Sequence, residues 1–443
     1  MQGIWIKIVE CERKGYFAKI SKVGDLDMAI KNKCIMLIVM LTLGFLLCAC
    51  GKRDGASDEL YAEDTDKIIL GEYEAEQFEK GYYLPLDTHQ SEEAEKDCKK
   101  VMGLIRDLYV HADKGNASNA VLLDEVLLKM QDELMGTEIP VTTAVTYSDM
   151  ANYESVDNFL KECLDGICGS VAVYEIYSGG GIGRKKFIFD GTDMYVLSAN
   201  AVWNTENEPQ ITYVSYTRIK EWRYTEKGWF CYELCVPEPP EVTEIMDGSH
   251  LLRVKPMDGD NRALSEKCVL GLGYQGNNLL CSNWDTEHMA DLDYNGLYEY
   301  LYAMKYQEKF RSEDYPEGIP RDEFESLIME YLPVTAEQIQ GYAVFNEEMQ
   351  IYEWAQLGCF SYTPTYFGTS LPEVTNIREN ADGTTTLTVD AVCEMLLCDD
   401  AVITHELTVQ FAEDGSFMYL GNEILNDGIE NIPEYQYRIS LSL

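Results

Sequence analysis

The sequence predicts an α+β protein in which helices precede antiparallel strands twice along the chain. Apolar residues recur at helical spacing between residues 91 and 164 and then alternate as in strands up to residue 254. The same order returns after residue 293. Helices followed by a strand meander are typical of α+β folds. We therefore expect two helix-then-antiparallel-meander units, of which an NTF2-like fold, a cone-shaped sheet closed by helices, is one form.

The N-terminal segment looks like targeting sequence rather than part of the fold. Met28 is followed by Lys31 and Lys33 and then by an uncharged apolar run from Cys34 to Ala49. A positive stretch, a short apolar stretch and small residues before a cleavage point form an export signal. We expect residues 1–49 to be a start-site extension and a lipoprotein signal peptide.

The run Leu47-Cys48-Ala49-Cys50 resembles the lipobox of bacterial lipoproteins. The resemblance implies cleavage before Cys50, lipidation of that cysteine and a place outside the cell, attached to the cell membrane. Stable attachment takes two lipid signals, and a diacylglyceryl group supplies two chains. The alternative is an uncleaved membrane helix, but a span needs about 20 apolar residues and this run is shorter.

The charge of the chain limits its partners. Without residues 1–49 the chain has 394 residues, with 28 basic and 73 acidic side chains. Such an excess of carboxylates repels nucleic acid, because binding depends on neutralising phosphates with Lys and Arg. It also repels anionic lipid headgroups, so the expected attachment to the membrane is hydrophobic.

The first predicted domain comprises residues 89–256, after an acidic tether at 50–88. We expect helices from about Ser91, over 121–135 and over 156–164; in the first, Val101, Leu104, Ile105 and Leu108 form an apolar stripe. Strands are expected at 171–177, 187–189, 194–197, 211–219, 222–224 and 229–236.

The second predicted domain comprises residues 257–443. We expect a helix from Asp293 to Phe310 and two more over 321–331 and 335–342. Three strands follow, at 384–393, 402–411 and 417–425. Asp414-Gly415 marks the last hairpin turn.

This second half resembles an uncharacterised family of Gram-positive bacterial lipoproteins, a domain of unknown function. The resemblance covers about residues 280–425 and is carried by Trp284-Asp-Thr-Glu, Leu292-Asp-Tyr-Asn-Gly-Leu-Tyr-Glu-Tyr-Leu-Tyr302, Tyr331-Leu-Pro-Val-Thr-Ala-Glu-Gln338 and Asp414-Gly-Ser-Phe-Met-Tyr-Leu-Gly-Asn422. It implies a compartment and no known activity.

Two motifs could hold an ion, and each has a simpler explanation. Gly179–Gly183 lacks the Gly-Lys-Ser/Thr of a phosphate loop and precedes a strand, so we expect a hairpin turn. Asp291-x-Asp293-x-Asn295-Gly296 resembles half of an EF-hand loop, but Tyr302 stands where a bidentate glutamate belongs. We expect a helix cap there, with calcium as the alternative.

An aromatic row, one histidine and most of the cysteines are also expected to have structural roles. Tyr294, Tyr298, Tyr302, Tyr306 and Phe310 recur every four residues, which suits a half-buried helix better than a sugar-stacking platform. His405 shares a strand face with apolar residues and is expected to be a satisfied core histidine, with a cavity-lining residue as the alternative. Free buried thiols are expected for most of the ten cysteines after Cys50.

No catalytic or metal motif stands out, since the sequence has no C-x₂-C, no His-Glu-x-x-His and no Gly-x-Ser-x-Gly. We therefore assign no catalytic residue, metal or cofactor. The first hypothesis is a non-enzymatic binding or accessory lipoprotein of unknown ligand. The second is an extracytoplasmic hydrolase acting on cell-surface or carbohydrate substrates, which would need converging carboxylates or a polar cluster around His405.

Overall fold

A computed structural model describes residues 75–115, 120–358, 363–395 and 399–439. The predicted signal segment, Cys50 and most of the predicted tether lie outside these residues. The elements below belong to one compact unit formed by residues 71–356 and 364–443. Among the helices of the described residues, none combines the length and the apolar character that crossing a bilayer requires.

The fold class is α+β, as predicted. The helices are α1 Thr88–His111, α2 Asp124–Met135, α3 Glu154–Leu164, α4 Gly259–Leu264, α5 Tyr294–Tyr306, α6 Arg321–Tyr331 and α7 Ala336–Tyr342. All of these except α4 lie close to their predicted positions, and the short helix α4 was not predicted. A π-helical turn, Ser265–Val269, follows α4 directly.

Helix α1 begins three residues before the predicted start at Ser91. The Asp87 side chain accepts a hydrogen bond from the Gln90 backbone N–H, and the Gln90 side chain accepts one from the backbone N–H of Asp87. This reciprocal capping box satisfies two N–H groups that would otherwise have no partner in the helix. The residues of this capping box, Asp87 and Gln90, lie within one turn before the predicted start at Ser91.

The first sheet has seven strands in chain order and curls into a half-barrel. Its strands are β1 Val141–Thr143, β2 Gly169–Ile176, β3 Ile182–Phe189, β4 Met194–Trp203, β5 Pro209–Tyr224, β6 Trp229–Leu234 and β7 Ser249–Arg253. β1 is parallel to β2, and the other pairs are antiparallel. The two strands predicted at 211–219 and 222–224 are one strand, β5, with an irregularity between Ile219 and Glu221.

Both faces of this sheet are covered by helices. α1 and α2 pack on one face, against Tyr174, Ile182 and Leu197. α3 packs on the opposite face, against Val173 and Phe187. Because side chains alternate along a strand, residues with even numbers in β3 face α1 and those with odd numbers face the other way.

The first residues that the structure describes belong to the predicted tether and pack on this sheet. The Leu84 N–H donates to Tyr216 O at 3.0 Å, and the Arg218 N–H donates to Gly81 O at 2.7 Å. Tyr82 and Leu84 are buried. Residues 81–84 therefore extend alongside β5 as part of the folded body.

The second sheet has five strands in the order β12-β13-β14-β15-β8, and a small third sheet has the order β10-β11-β9. The strands are β8 Trp284–Asp285, β9 Ile319–Pro320, β10 Phe345–Asn346, β11 Ile351–Tyr352, β12 Leu371–Glu379, β13 Thr385–Val392, β14 Thr404–Phe411 and β15 Phe417–Ile424. The last three match the predicted meander. The short strands β8–β11 and the longer strand β12 were not predicted from the sequence.

Helix α5 ends earlier than predicted. It stops at Tyr306 because Gln307 adopts a left-handed conformation, with φ of 55°. A residue in that conformation terminates the helical hydrogen-bond ladder. Phe310, which was predicted to end the helix, lies in the following loop and is still buried.

The two larger sheets are joined by charged and polar contacts. Arg253 at the end of β7 forms an ion pair with Glu373 of β12, and the side chains are 11% and 5% exposed. Lys227 pairs with Asp390 of β13. The Tyr147 hydroxyl donates to the Pro372 carbonyl.

Most described cysteines are buried thiols, as predicted. Free thiols are found at Cys98, Cys163, Cys168, Cys235, Cys268, Cys281 and Cys393, of which only Cys168 is exposed. Burial raises the pKa of the Cys163 thiol to about 11. Such thiols are chemically inert and act as small apolar side chains.

Candidate functional site

His405 lies in the core of the second sheet, as the strand pattern predicted, with none of its surface exposed. Its Nδ1 lies 2.5 Å from Asn422 Oδ1, and its Nε2 lies 2.8 Å from the Tyr274 hydroxyl. The interpretation as a satisfied core histidine is confirmed.

The hydrogen bonds of Asn422 assign the proton on this histidine. Asn422 Nδ2 donates to the carbonyls of Leu280 and Ser282, so its Oδ1 is the acceptor and His405 Nδ1 is the donor. Nε2 then accepts from the Tyr274 hydroxyl. Burial lowers the pKa of His405 from 6.5 to about 4, and the Asn422 hydrogen bond opposes this shift only in part. His405 is therefore a neutral imidazole whose two nitrogens are both occupied.

This arrangement bears directly on the hydrolase hypothesis. The surroundings of His405 are polar, which a catalytic histidine requires, but the imidazole has no exposed surface. A general base must come within hydrogen-bond reach of a substrate. Both nitrogens of His405 are committed to Tyr274 and Asn422, so the cluster acts as a structural element.

The EF-hand-like loop is used as a helix cap. Asp293 Oδ1 accepts from the Gly296 N–H at 2.8 Å, which confirms the predicted cap of α5, and Oδ2 accepts from the Tyr435 hydroxyl at 2.8 Å. Asn295 Oδ1 accepts from the Val344 N–H. Oxygens that calcium would require are thus engaged by the protein itself. Over the described residues, no group of three or more His, Cys, Asp or Glu side chains is placed to hold a metal ion.

The aromatic row is mainly core, as predicted. Tyr294, Tyr298 and Phe310 are 1%, 2% and 5% exposed, whereas Tyr306 is 51% exposed. The Tyr298 ring stacks on Phe324 with centroids 4.9 Å apart and an interplanar angle of 5°. The row therefore joins α5 to α6 and offers no continuous platform.

The glycine-rich segment is a hairpin between β2 and β3, as predicted. The Gly180 N–H donates to Tyr177 O at 2.7 Å, and Gly180 has φ of 75°. A side chain at Gly180 would also collide with Tyr109 and Leu122. The glycine is required by the turn and by the packing of α1 over it.

The described residues also form a pocket of about 540 Å³ that sequence analysis did not find. This volume is within the usual range for small-molecule sites. Its walls come from residues 80–82, from β5, and from the end of β6 with the chain that follows it. The charged and polar side chains at its surface are Lys80, Tyr82, Lys220, Glu233, Glu238 and Glu241, and the Cys235 thiol lies beside them.

Paired charges surround the mouth of this pocket. Lys80 lies 2.9 Å from Glu76 and 3.3 Å from Glu241, and Lys220 lies 2.8 Å from Glu233. The Tyr82 hydroxyl donates to Glu241. Leu234 and Val236 contribute apolar surface. An apolar floor with a few polar groups around it is the usual composition of a ligand site.

The pocket was missed because its walls are far apart in the sequence. The sequence predicts a tether at residues 80–82, and the opposite wall comes from residues 220 and 233–241. No motif connects these stretches. Only the pairing of residues 81–84 with β5 brings them together.

Comparison with known proteins identifies a family but no function. The model of a family described as "Family of unknown function (DUF6070)" matches residues 91–438, more than three quarters of the chain. No curated protein and no solved structure matches the chain. The resemblance to a domain of unknown function is thus confirmed, over a longer segment than predicted. The chain belongs to the DUF6070 family.

Proposed function

We propose that this chain is a lipid-anchored, extracytoplasmic binding protein. Cys50 carries the anchor, the acidic body stands outside the cell membrane, and the pocket beside residues 80–82 receives the ligand. The observation that carries the binding function is this pocket of about 540 Å³.

The anchor is supported by the sequence before and after Cys50. An uncharged apolar run ends in small residues directly before this cysteine. The acidic body has no electrostatic attraction for an anionic membrane, so a hydrophobic anchor would be needed to hold it there. Residues 51–74 separate Cys50 from the first described residue and would serve as the spacer.

Replacing the lipidated cysteine tests the anchor. We expect Cys50→Ala to abolish incorporation of labelled palmitate and to release the protein from the membrane fraction. Cys48→Ala is the matched control, because it removes a thiol two residues earlier and leaves the modified position intact. Metabolic labelling, fractionation and mass spectrometry of the N-terminus are the measurements. Membrane retention of Cys50→Ala with residues 28–49 still attached would contradict the proposal.

The position of the pocket also supports a binding role. Its wall at residues 80–82 is the first part of the folded body after the predicted spacer. At its mouth Lys80 pairs with Glu241 and Lys220 pairs with Glu233, so a ligand would meet these four charges already paired. Polar rims of this kind give orientation and specificity, while the apolar floor contributes affinity.

Native mass spectrometry of the protein extracted from its own membrane tests the pocket. We expect a non-covalent small molecule bound to the wild-type protein and lost from Lys220→Trp, whose indole would fill the mouth of the pocket. Lys100→Trp is the control, since Lys100 is an exposed lysine of α1 outside the pocket. Absence of any bound molecule, or equal retention by both variants, would rule the pocket out as the ligand site.

We also infer the finer fold that the sequence suggested, namely two helix-then-antiparallel-meander units that meet near residue 256, with an NTF2-like sheet closed by helices as one form. The order of α1, α2, α3 and the strands β2–β7 supports this inference. A crystal structure in which α1 lay outside the curl of the first sheet would contradict it.

A further inference from the structure

Three consecutive basic residues stand in the middle of β3, although basic side chains are scarce in this chain. Arg184 and Lys186 face α1, where they pair with Asp97 and Glu93. Lys185 lies between them and must face the opposite side of the sheet. The carboxylates of α1, Glu93 and Asp97, therefore lie on the other face of the sheet from the Lys185 ammonium group.

Lys185 is surrounded by aromatic and acidic groups on that opposite face. Its Nζ lies 5.9 Å from the centre of the Tyr232 ring. Tyr232 stacks on His250 with centroids 5.1 Å apart, and His250 Nδ1 lies 3.6 Å from Glu394 Oε1. Glu175 shares the face of Lys185, because Val173 is the register partner of Lys185 and Glu175 follows two residues later. We call these five residues the Lys185 surface.

Lys185 and Glu175 interact without touching. Among the described residues, neither side chain has an ion pair within the 4.0 Å that defines one. Burial raises the pKa of Glu175, and Lys185 partly reverses that shift. Burial alone would lower the pKa of Lys185, but Tyr232 and Glu175 raise it above its usual value. Glu175 and Lys185 are therefore near each other on one face of the sheet without forming an ion pair.

Four of the five residues reach solvent. Glu175, Lys185 and His250 are half-buried, Glu394 is exposed, and Tyr232 is 1% exposed. Glu394 follows β13 and belongs to the second half of the fold, so this surface lies where the two large sheets meet. Ligand sites are frequent in such positions.

We infer that the Lys185 surface binds a small zwitterion with one carboxylate and one ammonium group, the chemistry of a free α-amino acid. The ligand carboxylate contacts Lys185, and the ammonium group contacts Glu175 and Glu394. The half-buried His250, which stacks on the buried Tyr232 ring, lies between these two contacts. This inference does not rest on the pocket at residues 80–82, because the two sites share no residue.

The charges of the surface distinguish a zwitterion from simpler ions. A plain anion would be attracted by Lys185 but repelled by two carboxylates. A plain cation would pair with the carboxylates and leave the Lys185 ammonium facing a like charge. A ligand with both groups meets an opposite charge at each end, and both contacts are charge-assisted hydrogen bonds.

Titration calorimetry with a panel of free L-amino acids tests this inference on the full lipoprotein in detergent. We expect at least one to bind. We expect its N-acetyl derivative, which lacks the ammonium group, and its amide, which lacks the carboxylate, to bind at least about tenfold more weakly, because each loses a charge-assisted hydrogen bond. Absence of binding by every free amino acid, or equal binding of the blocked derivatives, would overturn the inference.

The two neighbouring lysines provide a matched pair of variants. Lys185→Met is expected to weaken binding at least about tenfold, and Lys186→Met to leave it unchanged, because Lys186 lies on the other face with Glu93. Glu175→Gln keeps the shape of the side chain and is expected to weaken binding by a similar factor. A thermal unfolding curve of each variant shows that it is folded. Equal effects of Lys185→Met and Lys186→Met would refute a site on this face.

Discussion

Acidification from pH 7 to pH 4 is expected to lower the free energy of unfolding by about 3 kcal/mol through His405 alone. The folded protein holds the pKa of this imidazole at about 4, below the ordinary 6.5. Between these pH values the unfolded chain therefore binds a proton that the folded chain does not. The contribution of the neutral His405 side chain to the free energy of unfolding is fully present above pH 6.5. It is lost as the pH falls from 6.5 towards 4.

The variant His405→Gln separates this effect from the many carboxylates that also titrate in acid. Urea unfolding at several pH values should show a shallower loss of stability for the variant between pH 6.5 and 4. At pH 7 the variant should already be less stable, since the flexible Gln amide does not reproduce the rigid ring that bonds Tyr274 and Asn422 at the same time. His89→Gln is the control at an exposed histidine. If the free energy of unfolding fell equally with pH in His405→Gln and in the wild type, His405 would have an ordinary pKa in the folded protein.

Local signals made several elements predictable. Helix α6 has the predicted bounds because Pro320 precedes it and its buried residues Phe324, Leu327 and Ile328 keep helical spacing. Helix α7 begins after Thr335, whose capping box with Gln338 can be read from the sequence. In both cases the interactions that fix the element lie within one or two turns.

Strand β12 was missed because its sequence lacks a regular alternation. Pro372 stands near its start, and proline is rare inside sheets. The register with β13 then shifts between Val374 and Asn376, so the buried side of the strand changes along its length. What makes this segment a strand is its pairing with β13, which the segment itself does not encode.

The candidate sites, like the strands and helices, were predictable only where local sequence determines them. The strand pattern predicted correctly that His405 is buried, but its partners Tyr274 and Asn422 lie in other elements and could not be named. The Lys185 surface is similar, because Glu394 joins it from beyond β13. Residue types and faces follow from local sequence, whereas the groups that meet across elements follow from the tertiary fold.

Replacing Asp97 with Asn is expected to lower the free energy of unfolding by about 2 kcal/mol. Arg184 is 1% exposed, and its Nε and Nη2 lie 3.1 and 2.7 Å from Asp97 Oδ2. Removing one partner of a buried ion pair usually costs about 3–5 kcal/mol, because the other charge is left without compensation. The cost is smaller here because Asp97 is 31% exposed and Glu93 still contacts Arg184 at 3.3 Å.

The neighbouring pair on α1 is the control for this prediction. Glu95 pairs with Lys99, and both side chains are about half exposed, so Glu95→Gln should change stability by less than about 0.5 kcal/mol in the same urea unfolding experiment. A second variant, Asp97→Asn combined with Arg184→Met, removes both charges and should be more stable than Asp97→Asn alone, since no charge is left buried without its partner. If Asp97→Asn proved as mild as Glu95→Gln, Arg184 would have to be solvated in the folded protein. The contact between α1 and β3 would then depend on apolar packing alone.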